Sequence, residues 1–315
     1  MSLQRWKILT LCLLLSACSG GATSTRGTPA PTASSGSPRA DLLPPDAPRA
    51  GTPTLFSQDG GFIVSTLAKV GAKREPQVRV SHAEVVGIAL DTNHLYWAEL
   101  SGEPGIAARI MRAKRDGRGV TRLVSLSEDP QGLALVDGHL YWLDPNGISR
   151  VATDGSGLKR PFVRLPQDES GAAASGIASD GHYLYFSRCL ADAIGRVEPS
   201  GRDLDLTFVM GTPCPQALAV GGSHLYWAEV GGNSKDDPGI IFRANAADGS
   251  AAARWVTMTS GGPFELAADD SEVIWTAGGY STDPTEVWRA DSQGRATHLF
   301  SAPEAGGLLL LPPHG

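Results

Sequence analysis

The sequence has few of the motifs and residue types that mark a catalytic or metal-binding protein. It contains four cysteines and seven histidines in 315 residues. It has no Gly-x-Ser-x-Gly elbow, no His-Glu-x-x-His pair, no phosphate-binding loop and no Cys-x-x-Cys. No segment keeps a helical apolar period, and no apolar run is long enough to span a bilayer. We therefore predict no catalytic residue.

The chain also lacks an excess of basic residues. It has 27 Lys and Arg against 33 Asp and Glu, a formal net charge of −6. An acidic balance is unfavourable for nucleic acid and for anionic lipid surfaces. We expect neither as a partner, and we expect the membrane to be contacted only through an anchor.

The N-terminus has the pattern of a secretory signal. Residues 1–17 combine a basic start, an apolar run over 8–15 and small residues before a cysteine. The sequence Leu15-Ser16-Ala17-Cys18 resembles the lipobox of bacterial lipoproteins, which implies that Cys18 is lipidated and begins the mature chain. Ser19 then favours the outer membrane of the cell envelope by the same resemblance. The alternative is an ordinary signal peptide with a chance cysteine.

The next segment predicts a disordered tether. Residues 18–53 are rich in Gly, Ala, Ser, Thr and Pro and cannot bury enough apolar surface to offset chain entropy. Residues 54–315 remain for one large folded domain, which we expect to be monomeric.

That domain contains an internal repeat. Gly-Ile-Ala-Leu or a similar tetrapeptide precedes Leu-Tyr-Trp or a variant of it. The middle residue of this tripeptide is Tyr at 96, 141, 185 and 226 and Ile at 274. These positions are 45, 44, 41 and 48 residues apart, which is the period of a four-stranded propeller blade. Each copy continues with an apolar-x-Arg sequence and a glycine turn, so each unit predicts four antiparallel strands.

The repeat resembles the YWTD repeats of the low-density-lipoprotein receptor family (class B). Leu-Tyr-Trp, Ile-x-Arg and Asp-Gly stand in register over roughly 85–312, whereas the Thr-Asp pair is replaced in every copy. The resemblance implies an all-β fold, a six-bladed β-propeller. NHL-type propellers share this architecture.

Five copies are visible, so a sixth blade needs both chain ends. Residues 55–59 align with 140–144, and without a gap Ile63 falls on Ile148 and Val78 on Val163. We predict that the N-terminal piece supplies strands B to D and that residues 307–311 supply strand A. Such pairing would close the ring and remove open sheet edges. The alternative is five blades with ragged ends.

Repeated polar residues favour structure over metal chemistry. Four histidines precede the Leu-Tyr-Trp strands, but equivalent turns spread around a ring cannot converge on one ion, so we predict no metal site. The repeated arginine predicts a packed stem with its guanidinium bonded to a neighbouring carboxylate or carbonyl.

One face of the propeller should carry the variable loops, which follow the second strand of a blade or precede the first. Loops that vary over a regular scaffold are the usual binding positions. The candidate ligand-binding residues on this face are Glu99, Gln131, Asp144, Arg188, Gln216, Glu229 and Glu265. The alternative is that the acids bond to loop backbone. Cys189 and Cys214 lie on the same face near one blade junction, and we predict a disulfide between them.

These features favour a non-catalytic binding or scaffold lipoprotein of the cell envelope, which holds a protein, peptide or glycan on that face. The alternative from another class is a metal-dependent hydrolase similar to propeller lactonases. In that protein Glu99, Glu229 and Glu265 would reach a central Ca²⁺, the single cofactor we consider.

Overall fold

A computed structural model gives the architecture of the folded domain. It describes residues 53–58, 61–66, 78–79, 83, 85–114, 117–166, 176–229, 239–258, 262–278 and 285–302. The predicted signal peptide, Cys18 and almost the whole tether lie outside these residues and stay predictions. Within the described residues, no helix has the length and apolar character needed to cross a membrane.

The first described strands form a three-stranded antiparallel sheet. It consists of β1 (Pro53–Gln58), β2 (Gly61–Thr66) and β3 (Val78–Arg79).

The remaining strands form five four-stranded antiparallel sheets, which we number blades I to V in chain order. Within each blade the strands are termed A to D. Blade I contains β4 (Val85–Leu90), β5 (His94–Leu100), β6 (Ala108–Lys114) and β7 (Thr121–Leu126). Blade II contains β8 (Gln131–Val136), β9 (His139–Asp144), β10 (Gly147–Ala152) and β11 (Lys159–Arg164).

Blade III contains β12 (Ile177–Ser179), β13 (Leu184–Arg188), β14 (Ala193–Val197) and β15 (Asp205–Met210), with a 3-10 turn (Cys189–Ala191) between β13 and β14. Blade IV contains β16 (Leu218–Gly221), β17 (His224–Glu229), β18 (Ile240–Asn245) and β19 (Ala253–Thr257). Blade V contains β20 (Gly262–Ala268), β21 (Glu272–Gly278), β22 (Thr285–Asp291) and β23 (Ala296–Ala302).

The B strands are apolar because they are covered on both faces. In β9, Leu140, Tyr141, Trp142 and Leu143 are all buried although they point alternately to opposite faces. A strand at the outer edge differs, since the first four residues of β7 and β11 are partly or fully exposed. The Leu-Tyr-Trp sequence therefore marks the strand that has a neighbouring blade on each side.

Four hydrophobic clusters lie between consecutive blades. Each combines the tyrosine of one blade with the tryptophan or phenylalanine of the next. The pairs are Tyr96 with Trp142, Tyr141 with Phe186, Tyr185 with Trp227, and Tyr226 with Trp275. All these side chains are buried. Replacing a buried aromatic by alanine typically costs about 3 to 5 kcal/mol, so these pairs are a main source of cohesion between blades.

The repeated arginine adds a polar contact between blades. Arg112 Nη1 donates to the Thr153 carbonyl of blade II at 3.1 Å. Arg196 Nη1 of blade III likewise donates to the Ala247 carbonyl of blade IV at 2.7 Å. Each acceptor lies in the turn between strands C and D of the following blade. The structure thus shows the structural role that the sequence predicts for this arginine.

The same contact recurs at the other described junctions. Arg150 Nη1 lies 3.5 Å from the Pro199 carbonyl, and Arg243 Nη1 donates to the Ser292 carbonyl at 3.2 Å. The guanidinium of Arg150 also lies 3.9 Å from the centre of the Phe162 ring on the D strand of its own blade. The arginine therefore packs on one blade and donates to the next, as cation–π and charge-assisted contacts favour.

The innermost strands follow one another around an axis. Strand β4 contacts β8, β8 contacts β12, β12 contacts β16, and β16 contacts β20. Among the described strands no contact of comparable extent joins β20 to β4. The first strand of each blade is therefore the inner strand of a propeller.

The predicted number of blades is wrong for the part of the chain that the structure describes. That part contains five four-stranded blades, not six, together with the three-stranded sheet β1-β2-β3. The reason is that only five repeats are complete within one stretch of sequence. The strand expected to complete the sixth, residues 307–311, lies outside the described residues, so the closure is not confirmed.

Candidate functional site

The strand order gives the propeller two different faces. Because each blade is an antiparallel A-B-C-D sheet, the A–B and C–D turns lie on one face, the turn face. The B–C and D–A connections lie on the other, which we call the loop-rich face. Six of the seven residues predicted to bind a ligand stand at or near ends of strands on the loop-rich face or in connections there, whereas Glu265 lies inside β20 (Gly262–Ala268) and not at its start.

Glu99 lies near the end of β5, and its side chain has partners in its own blade. The residue is 5% exposed. The Trp97 indole N–H donates to Glu99 Oε2 at 2.6 Å, and Arg109 Nε lies 3.4 Å from Glu99 Oε1. This carboxylate is therefore paired with Trp97 and Arg109 near the end of the B strand.

Asp144 holds the corresponding place at the end of β9. It accepts the Asn146 backbone N–H at 2.9 Å and the Ser149 hydroxyl at 2.5 Å. Arg160 Nε lies 3.3 Å from Asp144 Oδ2. The alternative in which a B-strand acid bonds to the loop after it describes Asp144 well.

Arg188 is the basic member of this series, at the end of β13. The residue is 6% exposed, and its guanidinium donates to the Leu206 carbonyl on strand D of the same blade. The guanidinium therefore bonds within its own blade.

Glu229 ends β17 and is only partly paired. Thr212 Oγ1 donates to Glu229 Oε1 at 3.3 Å. Burial raises the pKa of Glu229 above its usual value, and the nearby charge of Asp192 raises it further. Thr212, Trp227 and Arg254 oppose this rise without cancelling it.

Glu265 is the most perturbed acid among the described residues. It lies on the inner strand β20, opposite Thr276, where a bulge follows Pro263. Burial raises the pKa of Glu265 to about 8. Its side chain still reaches solvent in part, and it forms no hydrogen bond or ion pair with any described residue. The carboxyl is therefore surrounded by protein atoms, but no described residue forms a hydrogen bond or ion pair with it.

The two glutamines lie where inner strands begin. Gln131 is the first residue of β8, opposite Leu143. The Gln216 backbone N–H donates to the Ala228 carbonyl at 2.9 Å, and its side-chain amide lies 3.7 Å from Cys214 Sγ. They bring neutral polar groups to the same face as Glu229 and Glu265.

Acids on the turn face behave differently. Hydrogen bonds from the side chain and backbone of Ser156 lower the pKa of Asp154. The same contacts from Ser250 lower the pKa of Asp248 in the equivalent turn. These acids stabilise their turns in the ionised form. On the loop-rich face the shift at Glu229 and Glu265 has the opposite sign, which is typical of groups arranged for something other than local stability.

A disulfide joins Cys189 to Cys214 across the junction of blades III and IV. Asp192, next to the 3-10 turn, has a left-handed backbone. Its side chain accepts the Cys214 backbone N–H at 3.1 Å, and its carbonyl accepts the Thr212 N–H at 3.0 Å. Sequence reasoning missed Asp192 and Thr212, because no periodic signal links a residue after strand B to one before the next strand A.

The metal hypothesis needs several oxygen ligands in one place. Among the described residues, no group of three or more His, Cys, Asp or Glu side chains is arranged to hold a metal ion. Glu99, Glu229 and Glu265 stand on three different blades, and the structure does not bring them together. The donor set therefore does not fit a central Ca²⁺.

Comparisons with known proteins agree with this architecture. No protein-family model and no curated protein sequence matches the chain. Among solved structures, the propeller of a nidogen/laminin complex matches with a TM-score of 0.63 and 17% identity, over 82% of this chain and 98% of that one. TolB from Acinetobacter baumannii matches with a TM-score of 0.59 and 11% identity, over 82% of this chain and 66% of TolB.

A streptogramin B lyase also matches, with a TM-score of 0.52 and 18% identity, over 79% of this chain and 83% of the lyase. At these identities the likeness shows the fold alone. The protein is an all-β propeller of antiparallel sheets. The YWTD-type propeller of nidogen is among its structural neighbours, in agreement with the resemblance in the sequence.

Proposed function

We propose that this protein is a non-catalytic binding or scaffold module that holds a protein, peptide or glycan on its loop-rich face. The observation that carries the proposal is that Glu229 and Glu265 are half-buried carboxyl groups on the loop-rich face, and that their pKa is raised where the pKa of turn-face acids is lowered. The surroundings of Glu229 and Glu265 disfavour the ionised carboxylate, whereas hydrogen bonds stabilise the ionised carboxylates of Asp154 and Asp248. A ligand with a hydrogen-bond donor or a positive charge would supply what these two glutamates lack.

The neighbours are consistent with more than one use of the fold. The nidogen propeller occurs in a complex with laminin, and the streptogramin B lyase is named as an enzyme. The metal-dependent hydrolase is the weaker hypothesis, because its three glutamates are not assembled. Metal analysis of the purified protein, with lactone hydrolysis measured before and after chelation, tests it. Hydrolysis that is lost on chelation would replace the binding module by the enzyme.

We further propose that the propeller is anchored at the cell envelope through a lipid on Cys18, with residues 18–53 as the tether. The lipobox-like sequence supports this. Metabolic labelling with a palmitate analogue should label the wild type and leave Cys18→Ser unlabelled. Equal labelling of both would contradict the anchor.

Closure of the ring by the two chain ends belongs to the same proposal. Two observations support it. Successive described inner strands contact one another from β4 to β20, and no contact of comparable extent joins β20 to β4. In addition, Trp97 is fully buried although the neighbours in its cluster belong to blade I.

Site-specific photo-crosslinking in intact cells tests the binding module. A photoreactive residue at position 229 or 265 should capture a partner, whereas one at Asp248 on the turn face should not. The Glu229→Gln/Glu265→Gln variant should weaken capture from a probe at position 131. Capture from Asp248 alone would place the binding surface on the other face and contradict the proposal.

A further inference from the structure

Two exposed apolar side chains stand on neighbouring segments of the loop-rich face. Leu190 belongs to the 3-10 turn after β13 and is 50% exposed. Met210 ends β15 and is 62% exposed, the largest value among the large apolar residues that the structure describes. Methionine is common at surfaces that bind proteins, and neighbouring exposed apolar side chains are typical of such surfaces.

These two segments are fixed to each other. Ala193, just after the turn, pairs with Met210 across β14 and β15. Beyond Met210 the chain returns to the turn through the Thr212 N–H to Asp192 carbonyl bond and the Cys189–Cys214 disulfide. The apolar pair is therefore held in place before any ligand arrives, which lowers the entropic cost of binding.

Acidic groups lie beside this apolar pair. Asp192 is exposed, and Glu229 is joined to the same segment by the Thr212 hydroxyl. Burial and the charge of Asp192 both disfavour a negative charge on Glu229, and Arg254 is the cation that partly offsets this. A further positive charge placed beside Glu229 would favour its ionised form.

We propose that this surface binds a protein segment that carries a large apolar side chain next to a lysine or arginine. The surface, formed by Leu190, Asp192, Met210 and Glu229 and joined by the buried Thr212, is the blade III–IV platform. The inference rests on the proposed function, because the platform is part of the loop-rich face. It adds the position of the main contact and the chemistry of the partner.

Selection of peptides provides the test. A phage-displayed library of random twelve-residue peptides is selected on the full-length protein, and the dissociation constants of the enriched peptides are measured. We expect the peptides to combine an aromatic or aliphatic residue with an adjacent lysine or arginine. Leu190→Glu and Met210→Glu should each weaken binding at least tenfold. Leu204→Glu, on the turn face of the same blade and 40% exposed, is the matched control and should change it less than twofold.

Two further variants separate the apolar from the acidic part. Glu229→Gln should weaken the binding of lysine-containing peptides several-fold. It should not change the binding of a peptide in which norleucine replaces that lysine. Cys189→Ser/Cys214→Ser should raise the dissociation constant of the same peptides, because the turn is then tied to the next segment by hydrogen bonds alone. Thermal unfolding of each variant distinguishes lost binding from lost folding.

The outcomes distinguish this inference from the proposed function. Peptides that bind Leu190→Glu and Met210→Glu as tightly as wild type, but lose affinity for Glu265→Gln, would refute the platform and leave the loop-rich face as the binding surface. Enrichment of acidic peptides would also refute it. If Leu204→Glu strongly weakened peptide binding, or if no peptide were enriched, the result would count against both proposals.

Discussion

Glu265, which has no polar partner among the described residues, makes the stability of the propeller depend on pH in a defined way. Its pKa is raised by burial to about 8 in the folded protein, whereas a glutamate in an unfolded chain titrates near about 4.3. The folded state therefore holds this proton more strongly than the unfolded state. The contribution of Glu265 to stability is highest at low pH, begins to fall above about 4.3 and stops falling above about 8.

The size of the effect follows from the shift. A change of one pKa unit corresponds to about 1.4 kcal/mol, so the full shift corresponds to about 5 kcal/mol. Because the side chain keeps some contact with water, we expect the measured value to be smaller, about 2 to 3 kcal/mol. Glu265→Gln keeps the shape of the neutral acid and cannot ionise. It should match wild type at pH 4 and be more stable by this amount at pH 9.

Urea unfolding of both proteins between pH 4 and 9 measures the difference in free energy of unfolding. Asp270→Asn removes an exposed carboxyl that follows the same inner strand and controls for the loss of one charge. A difference between Glu265→Gln and wild type that is the same at pH 4 and pH 9 would refute the reasoning. An NMR titration of side-chain carboxyls, with the variant used for assignment, gives the pKa directly.

Three further predictions concern the scaffold. Cys189→Ser/Cys214→Ser opens a link between residues 25 apart, and loop closure predicts a loss of about 3 kcal/mol in urea unfolding; an unchanged midpoint would contradict this. Arg196→Met removes the hydrogen bond to the next blade and should cost about 1 to 2 kcal/mol, whereas Arg202→Met, 79% exposed at its side chain, should cost less than about 0.5 kcal/mol; equal effects would refute the inter-blade role. A chain that ends at Ala302 should melt at a lower temperature and self-associate in size-exclusion chromatography if residues 307–311 close the ring, and a stable monomer would argue against closure.

Much of the fold could be predicted from the sequence because the packing unit is local. Tyr141 and Trp142 point to opposite faces of one strand, and each meets the same kind of residue from the adjacent blade, so the requirement recurs in every unit. The repeated arginine could be predicted as structural for the same reason. Its acceptor is a backbone carbonyl in the turn of the next blade. Because any residue type carries such a carbonyl, the acceptor could not be identified from the sequence.

The number of blades was harder to predict than the blades themselves. Five units are complete within one stretch of chain, and a sixth depends on two distant ends meeting. Sequence similarity shows that residues 307–311 resemble an inner strand, but pairing between chain ends depends on the geometry of the whole ring.

The sequence could place the candidate residues relative to the strands but could not give the contacts of their side chains. The strand pattern places Glu99 and Glu229 at equivalent strand ends, yet one is paired with an arginine and the other is not. The difference depends on Arg109, on the facing strand of the same blade, and on Thr212, which comes from the connection after blade III. The shift at Glu265 likewise depends on neighbours in space that have no fixed distance in sequence.

The arginine contacts all run in one direction, from each blade to its successor. A copied blade would bring both an arginine donor and a turn with a carbonyl acceptor. Tandem duplication could therefore add blades without a new kind of contact between them. In the N-terminal sheet, the residue that aligns with Arg150 is Ser65, which has no guanidinium to offer. An array extended by copying this sheet would therefore lack the arginine contact at the new junction, whereas one extended by copying a complete blade would keep it.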